Sequence, residues 1–148
     1  MVGEILIGRG NRRGGFGIYY YQRGEDMKGY IDLFVLPVPK KNLRAYCRMS
    51  QSMGKIMRKF GALEYREFVG DDLYAKGITP FPNKIKLKRG EVLVSAVVGF
   101  RSKSHRNQVN KRTMKDPRVL RLIKESMENP LSDMKRMLYG GFSTIVKA

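Results

Sequence analysis

The sequence has few of the residues that mark several classes of protein. Cys47 is its single cysteine, so an internal disulfide cannot form, and a reducing cytoplasm is the simplest expectation. No apolar run approaches the roughly 20 residues needed to span a bilayer. The ILI run at residues 5–7 is also far too short for the apolar region of a signal peptide. We therefore expect a cytoplasmic protein that does not enter a membrane.

Histidine and acidic residues are also scarce. The chain has one histidine and 13 aspartates and glutamates in 148 residues. Asp71 and Asp72 are adjacent but have no further ligands at a suitable spacing, and they are typical of a turn. We predict no metal site and no cofactor. No Ser/His/Asp or Cys/His arrangement can be assigned, because Ser102 and Ser104 are better explained as helix caps.

Positive charge is abundant by contrast. Thirty lysines and arginines give the chain a net charge of +17. The segment before Met27 holds four basic and three acidic residues, so +16 belongs to the rest of the chain. Such a field attracts nucleic acid or an anionic membrane and holds polyanions without specificity. The alternative is a basic protein with no dedicated anionic partner.

Residues 1–26 form a glycine-rich segment that we predict to lie outside the fold. Gly8 and Gly10 match the start of a dinucleotide-binding fingerprint, but Arg13 stands where its third glycine is needed. RGNRRGG also resembles one short copy of a glycine-arginine RNA-binding tract. RGED before Met27 is compatible with purine-rich codons of a ribosome-binding sequence. We therefore expect Met27 to be the native start and residues 27–148 to be the domain.

Hydrophobic periodicity predicts the first half of that domain. YIDLFVLPV alternates as a strand that ends at Pro37 and Pro39, and ALEYREFV alternates as a second strand. Between them, apolar residues at three- and four-residue spacing predict a helix capped by Asn42 and stopped by Gly61. Residues 71–83 are predicted to be a loop, and KIKLKRG a charged edge strand. The apolar helix positions are Leu43, Tyr46, Cys47, Met53, Ile56, Met57 and Phe60.

The second half repeats the pattern. EVLVSAVVGF is the most apolar strand and is predicted to be central. Ser102 or Ser104 caps a helix that runs to about Lys115, and Asp116 with Pro117 starts a further short helix. GFSTIVK is the predicted last strand. The order strand, helix, strand, strand, helix, strand predicts one α+β domain with ferredoxin-like βαββαβ topology and an antiparallel sheet.

Several motifs occur in an order that resembles a known family. YIDLFVLPVPKKN, GALEY, VGDD, SKSHRNQVN, KDPR and KRMLYGGF recur at a similar spacing in the YbaA-like family, a bacterial domain of unknown function. The resemblance covers about residues 28–148. It implies a dimeric α/β-barrel, in which two ferredoxin-like units pack sheet against sheet. It also places Met27 near the usual start, but it supplies no reaction.

The dimeric α/β-barrel superfamily includes cofactor-independent monooxygenases, so the resemblance raises the possibility of an enzyme. Such chemistry typically uses a polar cleft between helices and sheet, often with a tryptophan or a histidine. This sequence contains no tryptophan. Regions where the family often has tryptophan read IMRKF and VSAVV here. This departure argues against an inherited oxygenase activity.

Candidate site residues lie within these motifs. Tyr30 and Asp32 project from one face of the first strand because they are two residues apart. Glu64 lies in GALEY, and Arg136 precedes the last strand, so that Asp32 with Arg136 could anchor a polar cleft. The alternative is an ion-pair network that only stabilises the barrel. Cys47 is expected to be a core residue rather than a nucleophile.

His105 and Arg106 stand at the start of the second helix. A histidine titrates near neutral pH, so His105 is the candidate general acid or base, although a packed or solvated histidine at a helix start is the alternative. The following segment, residues 101–124, holds nine basic residues and one acid, and it predicts a basic ridge. Its candidate nucleic-acid contacts are Arg101, Lys103, Lys111, Arg112, Lys115 and Arg118.

These observations leave three hypotheses for function. The first is a homodimeric barrel protein that binds a small polar or anionic ligand in the cleft through Tyr30, Asp32, Glu64, Arg106 and Arg136. The second is a nucleic-acid-binding module that uses the segment 101–124. The third is a cofactor-independent enzyme that acts through His105 and nearby acids.

Overall fold

The computed structural model describes residues 29–148 and two short strands, β1 (Ile5–Gly8) and β2 (Ile18–Tyr21), which pair antiparallel with each other. Residues 1–4, 9–17 and 22–28, which include Met27, lie outside the described residues. The division at residue 27 therefore stays a prediction.

The core of the fold is a four-stranded antiparallel sheet. Its strands are β3 (Tyr30–Pro39), β4 (Glu64–Val69), β5 (Glu91–Phe100) and β6 (Leu138–Ser143), arranged in the order β4-β5-β3-β6. The apolar strand β5 is central, as its composition predicts. Strand β6 pairs with β3 only from Tyr30 to Val35. Pro37 and Pro39 are tolerated because they lie where β3 has a partner on one side only.

Four helices connect the strands: α1 (Leu43–Lys59), α2 (Phe81–Ile85), α3 (Lys103–Thr113) and α4 (Pro117–Glu128). The long helices α1 and α3 follow β3 and β5, which gives the predicted ferredoxin-like α+β topology. The prediction of the fold class is confirmed.

The alternation of the strands divides the side chains of the sheet between two faces. We call the face that packs on α1 and α3 the helix face. There, Tyr30, Val98 and Phe100 of the sheet meet Met57 of α1 and Val109 of α3. A second cluster on this face joins Leu36, Val38 and Val94 to Tyr46 of α1. The opposite face, which we call the outer face, packs Val35 and Leu93 against Ile85 of α2.

Local hydrogen bonds cap the end of α1 and the starts of α3 and α4. Gly61 has φ +115°, and the amides of Gly61 and Ala62 donate to the carbonyls of Arg58 and Met57, which closes α1. Ser102 Oγ accepts a hydrogen bond from the His105 amide at the start of α3. Asp116 accepts from the Arg118 amide at the start of α4. These three predictions are confirmed.

Two predicted strands need correction. KIKLKRG does not form an edge strand: Pro80 and Pro82 start helix α2, and Lys86 ends it with left-handed φ. Ile85 and Leu87 alternate with lysines because they reach Val35 and Leu93 from a helix end and a turn. The last strand lies at Leu138–Ser143, earlier than the predicted GFSTIVK, because β3 has no partner for later residues.

Two predictions about α1 are also wrong. The Asn42 side chain does not cap α1. Its side-chain amide, through Nδ2, donates instead to the Leu131 carbonyl at 3.2 Å. Cys47 is exposed rather than in the core. It lies about 100° around the helix from buried Tyr46, which places it at the edge of the apolar stripe.

Candidate ligand-binding cleft

A cleft of about 970 Å³ lies between the helix face of the sheet and the helices α1 and α4. Its lining is mostly apolar. All seven methionines within residues 29–148 line it: Met49, Met53, Met57, Met114, Met127, Met134 and Met137. Methionine side chains are flexible and polarisable, so they adapt to ligands of different shape. The cleft is therefore a deformable apolar site.

The floor of the cleft is made by the sheet itself. Glu67, Ala96, Phe34 and Tyr139 lie side by side on four neighbouring strands, and Tyr65, Val98 and Asp32 form the adjacent row. Ala96 and Val98 are small, and they leave room between the polar groups on either side. The register of the sheet thus places a carboxylate on each side of an apolar floor.

The first polar group of the cleft is Glu67. Its two carboxylate oxygens accept hydrogen bonds from the Tyr46 hydroxyl at 2.7 Å and the Tyr65 hydroxyl at 2.9 Å. Burial, together with the hydrogen bonds and the charge of Glu67, raises the pKa of both tyrosines above the ordinary value. Both hydroxyls therefore keep their protons at neutral pH, and both donate hydrogen bonds to the Glu67 carboxylate.

The second polar group is Asp32, a buried carboxylate on β3. Tyr139 donates its hydroxyl to Asp32 Oδ1 at 2.9 Å, and Arg106 Nε lies 3.5 Å from the same oxygen. Arg106 also donates through Nη2 to the Tyr30 hydroxyl at 3.0 Å and lies over the Tyr30 ring. Burial and the bond to Asp32 raise the pKa of Tyr139. Arg106 Nε is buried and has no hydrogen-bond partner among the described residues.

The structure therefore brings together three of the five candidate ligand-binding residues, Tyr30, Asp32 and Arg106. Asp32 lines the cleft directly, and the other two lie behind it. Glu64 lies on the outer face of β4, where it pairs with Arg66 at 3.3 Å and does not reach the cleft. Its position follows from alternation, since Tyr65 on the next position faces the helices.

Arg136 lies apart from Asp32. Its guanidinium pairs with both carboxylate oxygens of Glu91 and, through Nε, with Asp133 at 2.9 Å. It also donates to the Lys86 carbonyl at 3.2 Å. Arg136 thus ties the turn after α2 and the start of β5 to the segment before β6. Asp32 meets Arg106 instead, so the prediction that Asp32 and Arg136 together anchor a polar cleft is wrong.

His105 is a buried residue in the first turn of α3, and it does not line the cleft. Its Nδ1 accepts a hydrogen bond from the Arg101 amide at 3.0 Å, and its ring meets Phe100 edge to face. Burial, with the charges of Arg101 and Arg112, lowers the pKa of His105. These contacts hold a neutral imidazole, protonated at Nε2, in the helix-sheet interface. A role for His105 as general acid or base stays a prediction.

Sequence reasoning missed Glu67, Tyr65, Tyr46 and Tyr139. A signal was present for two of them, because Tyr65 and Glu67 are two residues apart in ALEYREFV and therefore lie on one face of the strand. A charged residue at an inward position of a strand is a functional or structural exception to the pattern. Tyr46 was placed on the apolar helix face, but its hydroxyl partner comes from a distant strand.

The six candidate nucleic-acid contacts are all exposed: Arg101 precedes α3, and the others lie on α3, α4 and the turn between them. Arg118 is occupied by Asp116, with its Nη2 2.7 Å from Oδ2. Within residues 29–148, no group of three or more His, Cys, Asp or Glu is arranged to hold a metal ion. No helix in that part of the chain is long and apolar enough to cross a membrane.

Comparison with known proteins identifies relatives. A family model described as "Protein of unknown function (DUF1428)" matches residues 29–132. The uncharacterized protein YbaA of Escherichia coli K12 is 34% identical over 117 residues, 79% of this chain and 97% of that protein, and the Shigella flexneri YbaA matches equally. A nipsnap family protein with unknown function from Agrobacterium tumefaciens has a solved structure that matches with TM-score 0.53 and 16% identity, over 81% of this chain and 91% of that chain. The last likeness shows a shared fold.

Proposed function

The chain belongs to the DUF1428 family of proteins of unknown function, and we propose that it binds a small, largely apolar molecule in the methionine-lined cleft. The observation that carries this proposal is the Tyr46–Glu67–Tyr65 cluster at the floor of a mostly apolar cavity. An apolar pocket with a few convergent polar groups is the usual form of a small-molecule site.

The charged residues that line the cleft indicate which polar group a matching ligand carries. The charged side chains on the cleft are Asp32, Glu67, Asp133 and Lys135. Asp32 pairs with Arg106 and Asp133 with Arg136, whereas Glu67 has no cation within 4.0 Å among residues 29–148. Of the small polar or anionic ligand expected from the sequence, this charge distribution therefore favours an apolar molecule with a donor group over an anion. The volume of about 970 Å³ accommodates a molecule of ordinary cofactor or drug size.

Glu67 is the proposed anchor for the donor group of the ligand. Each carboxylate oxygen accepts one tyrosine hydroxyl and has further lone-pair capacity. A hydroxyl or ammonium on the ligand completes this capacity. A hydrogen bond to a charged group contributes about 1.5–3 kcal/mol. This single bond to Glu67 is therefore enough to favour ligands that carry a donor group over ligands that lack one.

Three ligands with the same alkyl chain test the proposal: decylamine, decanol and decanoate, each titrated into the full chain by calorimetry below its micellar concentration. We expect decylamine to bind best and decanoate worst. Glu67→Gln should reduce the preference for the amine over the alcohol roughly tenfold. The matched control is Glu128→Gln, because Glu128 is exposed at the end of α4.

A second variant tests the location of the ligand. Ala96→Phe places a ring on the small central position of the floor and should weaken all three ligands together. Tighter binding of decanoate than of decylamine, or affinities that Ala96→Phe leaves unchanged, would falsify the cleft proposal.

We also propose that two copies of the chain form a homodimer through the outer face of the sheet. Phe68, Leu138 and Phe142 are 42%, 48% and 51% exposed on that face, beside half-buried Ile31 and Val97. Helix α2 covers only part of this face, around Val35 and Leu93, and the exposed apolar remainder needs a partner layer. Sedimentation velocity tests this: Phe142→Lys should give a monomer, whereas Leu120→Lys on α4 should not. A monomeric parent chain contradicts the proposal.

The cellular site that we propose is the bacterial cytoplasm. The free and exposed thiol of Cys47 supports a reducing compartment, and the similar YbaA proteins come from bacteria. Fractionation of the native cell with an antibody to the chain tests the location, and recovery in the periplasmic fraction is the contrary result.

A further inference from the structure

Helices α1 and α3 present a surface without acidic residues. The chain has no Asp or Glu from residue 40 to residue 63, and none from residue 101 to residue 115. The basic residues of α1 and α3 are exposed, apart from Arg106, which is turned inward to Asp32. Both helices pack on the same face of the sheet. Their positive charges therefore point away from the sheet on one side of the molecule.

The basic residues of the two helices form one continuous surface. His105 Nε2 approaches Gly61 at the end of α1, and Arg112 lies close enough to His105 to help lower its pKa. The charge of Lys59, at the end of α1, likewise helps to lower the pKa of Asp116, which lies between α3 and α4. The end of α1 thus adjoins α3 and the start of α4. We call this surface the basic face, and its residues are Lys55, Arg58, Lys59, Arg101, Lys111, Arg112, Lys115 and Arg118.

Most of this charge is available to a partner, although Arg58 Nη1 donates to the carbonyls of Ala62 and Leu63 at the end of α1. Among the described residues, Arg118 is the single member of the basic face with a carboxylate within 4.0 Å. Its partner Asp116 accepts both Nε and Nη2 of Arg118 and the Arg118 amide, so this acid is already neutralised locally. A cluster of like charges without counter-charges destabilises the fold through repulsion, which a polyanion relieves.

The exposed chemistry of the basic face fits nucleic acid better than a lipid surface. Membrane-surface helices bury an apolar stripe of Trp, Phe or Leu beneath their basic residues. No large apolar residue is more than about a third exposed on α1 or α3, and the exposed apolar residues beside Lys115 and Arg118 are Met114 and Leu120. Instead, exposed amide side chains, Asn107 and Gln108, lie among the basic residues of α3. These groups donate to phosphate and sugar oxygens.

Helices α1 and α3 have no exposed aromatic residue, which indicates the kind of nucleic acid that the basic face binds. Single-stranded nucleic acid is typically held by bases stacked on aromatic side chains, which these helices do not offer. Contacts to the phosphate backbone need charge alone. We propose that the basic face binds the phosphate backbone of double-stranded nucleic acid without reading its sequence, as a function separate from the cleft.

Fluorescence anisotropy of a labelled DNA duplex, titrated with the full chain at several salt concentrations, tests this proposal. We expect binding that persists at near-physiological salt and weakens linearly in a plot of log affinity against log salt. Arg112→Glu with Lys115→Glu should weaken binding at least roughly tenfold and reduce the salt slope by roughly two.

The matched control is Lys76→Glu with Lys84→Glu, which makes the same change in net charge near α2, on the outer side of the sheet. This pair should change affinity less than about twofold. Arg112→Gln with Lys115→Gln is a milder version that keeps the test valid if the charge reversals unfold the chain, and it should weaken binding in the same direction.

Three results would overturn the proposal. Equal losses in the two reversed pairs would show that the net field, and not the basic face, holds the duplex. Tighter binding of a single strand than of a duplex would assign the charge to another kind of nucleic acid. Binding of phosphatidylserine vesicles without binding of duplex would assign the face to lipid.

Discussion

The Tyr46 hydroxyl of α1 lies 2.7 Å from Glu67 Oε2 of β4, so the longest helix meets an edge strand at a carboxylate. Tyr65 donates to the other oxygen of the same carboxylate. The cluster therefore has two consequences. It orients Glu67 over the floor of the cleft, and it fixes the position of α1 on the sheet. The proposed ligand anchor and the contact between α1 and β4 therefore rest on the same three residues.

The raised pKa values of Tyr46 and Tyr65 predict a loss of stability in alkali. Both pKa values lie above the ordinary value of 10.0, first because of burial and then because of Glu67. Above about pH 10 the unfolded chain releases protons that the folded chain retains, so the free energy of unfolding falls as pH rises. Each tyrosine contributes a slope of about 1.4 kcal/mol per pH unit.

Urea unfolding between neutral pH and pH 11 measures this slope. Tyr46→Phe should remove part of it and lower stability at neutral pH by about 1–3 kcal/mol, since Glu67 loses a donor. Tyr74→Phe is the control, because Tyr74 is 68% exposed. An alkaline slope that is the same in Tyr46→Phe as in the parent chain contradicts the raised pKa.

Gly54 in the middle of α1 is predicted to be required for the same cluster. A Cβ at this position would lie 2.5 Å from Cδ1 of the Tyr65 ring. Glycine inside a helix costs about 1 kcal/mol relative to alanine, but forcing a methyl group into a packed core costs about 1–3 kcal/mol. Gly54→Ala should therefore leave the chain less stable by up to about 2 kcal/mol in urea unfolding.

A double-mutant cycle separates these two effects. In a Tyr65→Ala background the ring is absent, so Gly54→Ala should become stabilising by about 0.5–1 kcal/mol. If Gly54→Ala has the same effect with and without Tyr65, the close approach of the ring to α1 does not limit position 54.

The fold was predictable because its signals are local and repeated. The alternation of YIDLFVLPV, the apolar spacing around Tyr46 and the caps at Ser102 and Asp116 each report on a few neighbouring residues, and the structure confirms them. KIKLKRG was misassigned for the same reason. Alternation of Ile85 and Leu87 is compatible with a strand, and only their packing against the outer face from a helix end separates the two structures.

The candidate site was less predictable because its partners are distant in sequence. Asp32 meets Tyr139 across 107 positions, and Arg136 meets Glu91 across 45. Alternation indicated that Tyr30 and Asp32 share a face, but it could not indicate which cation reaches them. The sequence predicted Arg136 beside Asp32, whereas the path of α3 across the sheet brings Arg106 to Asp32 instead.

Glu91 is predicted to stabilise the fold in a manner that depends on acid pH. Its side chain is 10% exposed, and the hydrogen bonds from Arg136 lower its pKa below the ordinary value of 4.5. The stability that this pair contributes is complete above that value and is lost as pH falls through the folded pKa. Glu91→Gln should therefore lower the urea midpoint at pH 7, and the difference from the parent chain should shrink below about pH 4.

The control for Glu91 is Glu128→Gln, since Glu128 is exposed and 3.8 Å from Lys124. It should leave the midpoint nearly unchanged at both pH values. A difference between Glu91→Gln and the parent chain that is equally large at pH 7 and pH 3 means that the loss comes from packing and not from the charge of Glu91.

His105 offers a direct observation because it is the single histidine in the sequence. Its imidazole signals in an NMR titration are therefore assigned without variants. Since burial and the charges of Arg101 and Arg112 lower its pKa, we expect a midpoint below 6.5 and an Nε2–H tautomer at neutral pH. Stability should fall as pH drops from 6.5 through that midpoint, because the unfolded chain takes up the proton first. A proton on Nδ1 contradicts the hydrogen bond from the Arg101 amide, and a midpoint above 6.5 contradicts the effect of burial and of the two arginines on the pKa and keeps His105 as a candidate acid or base.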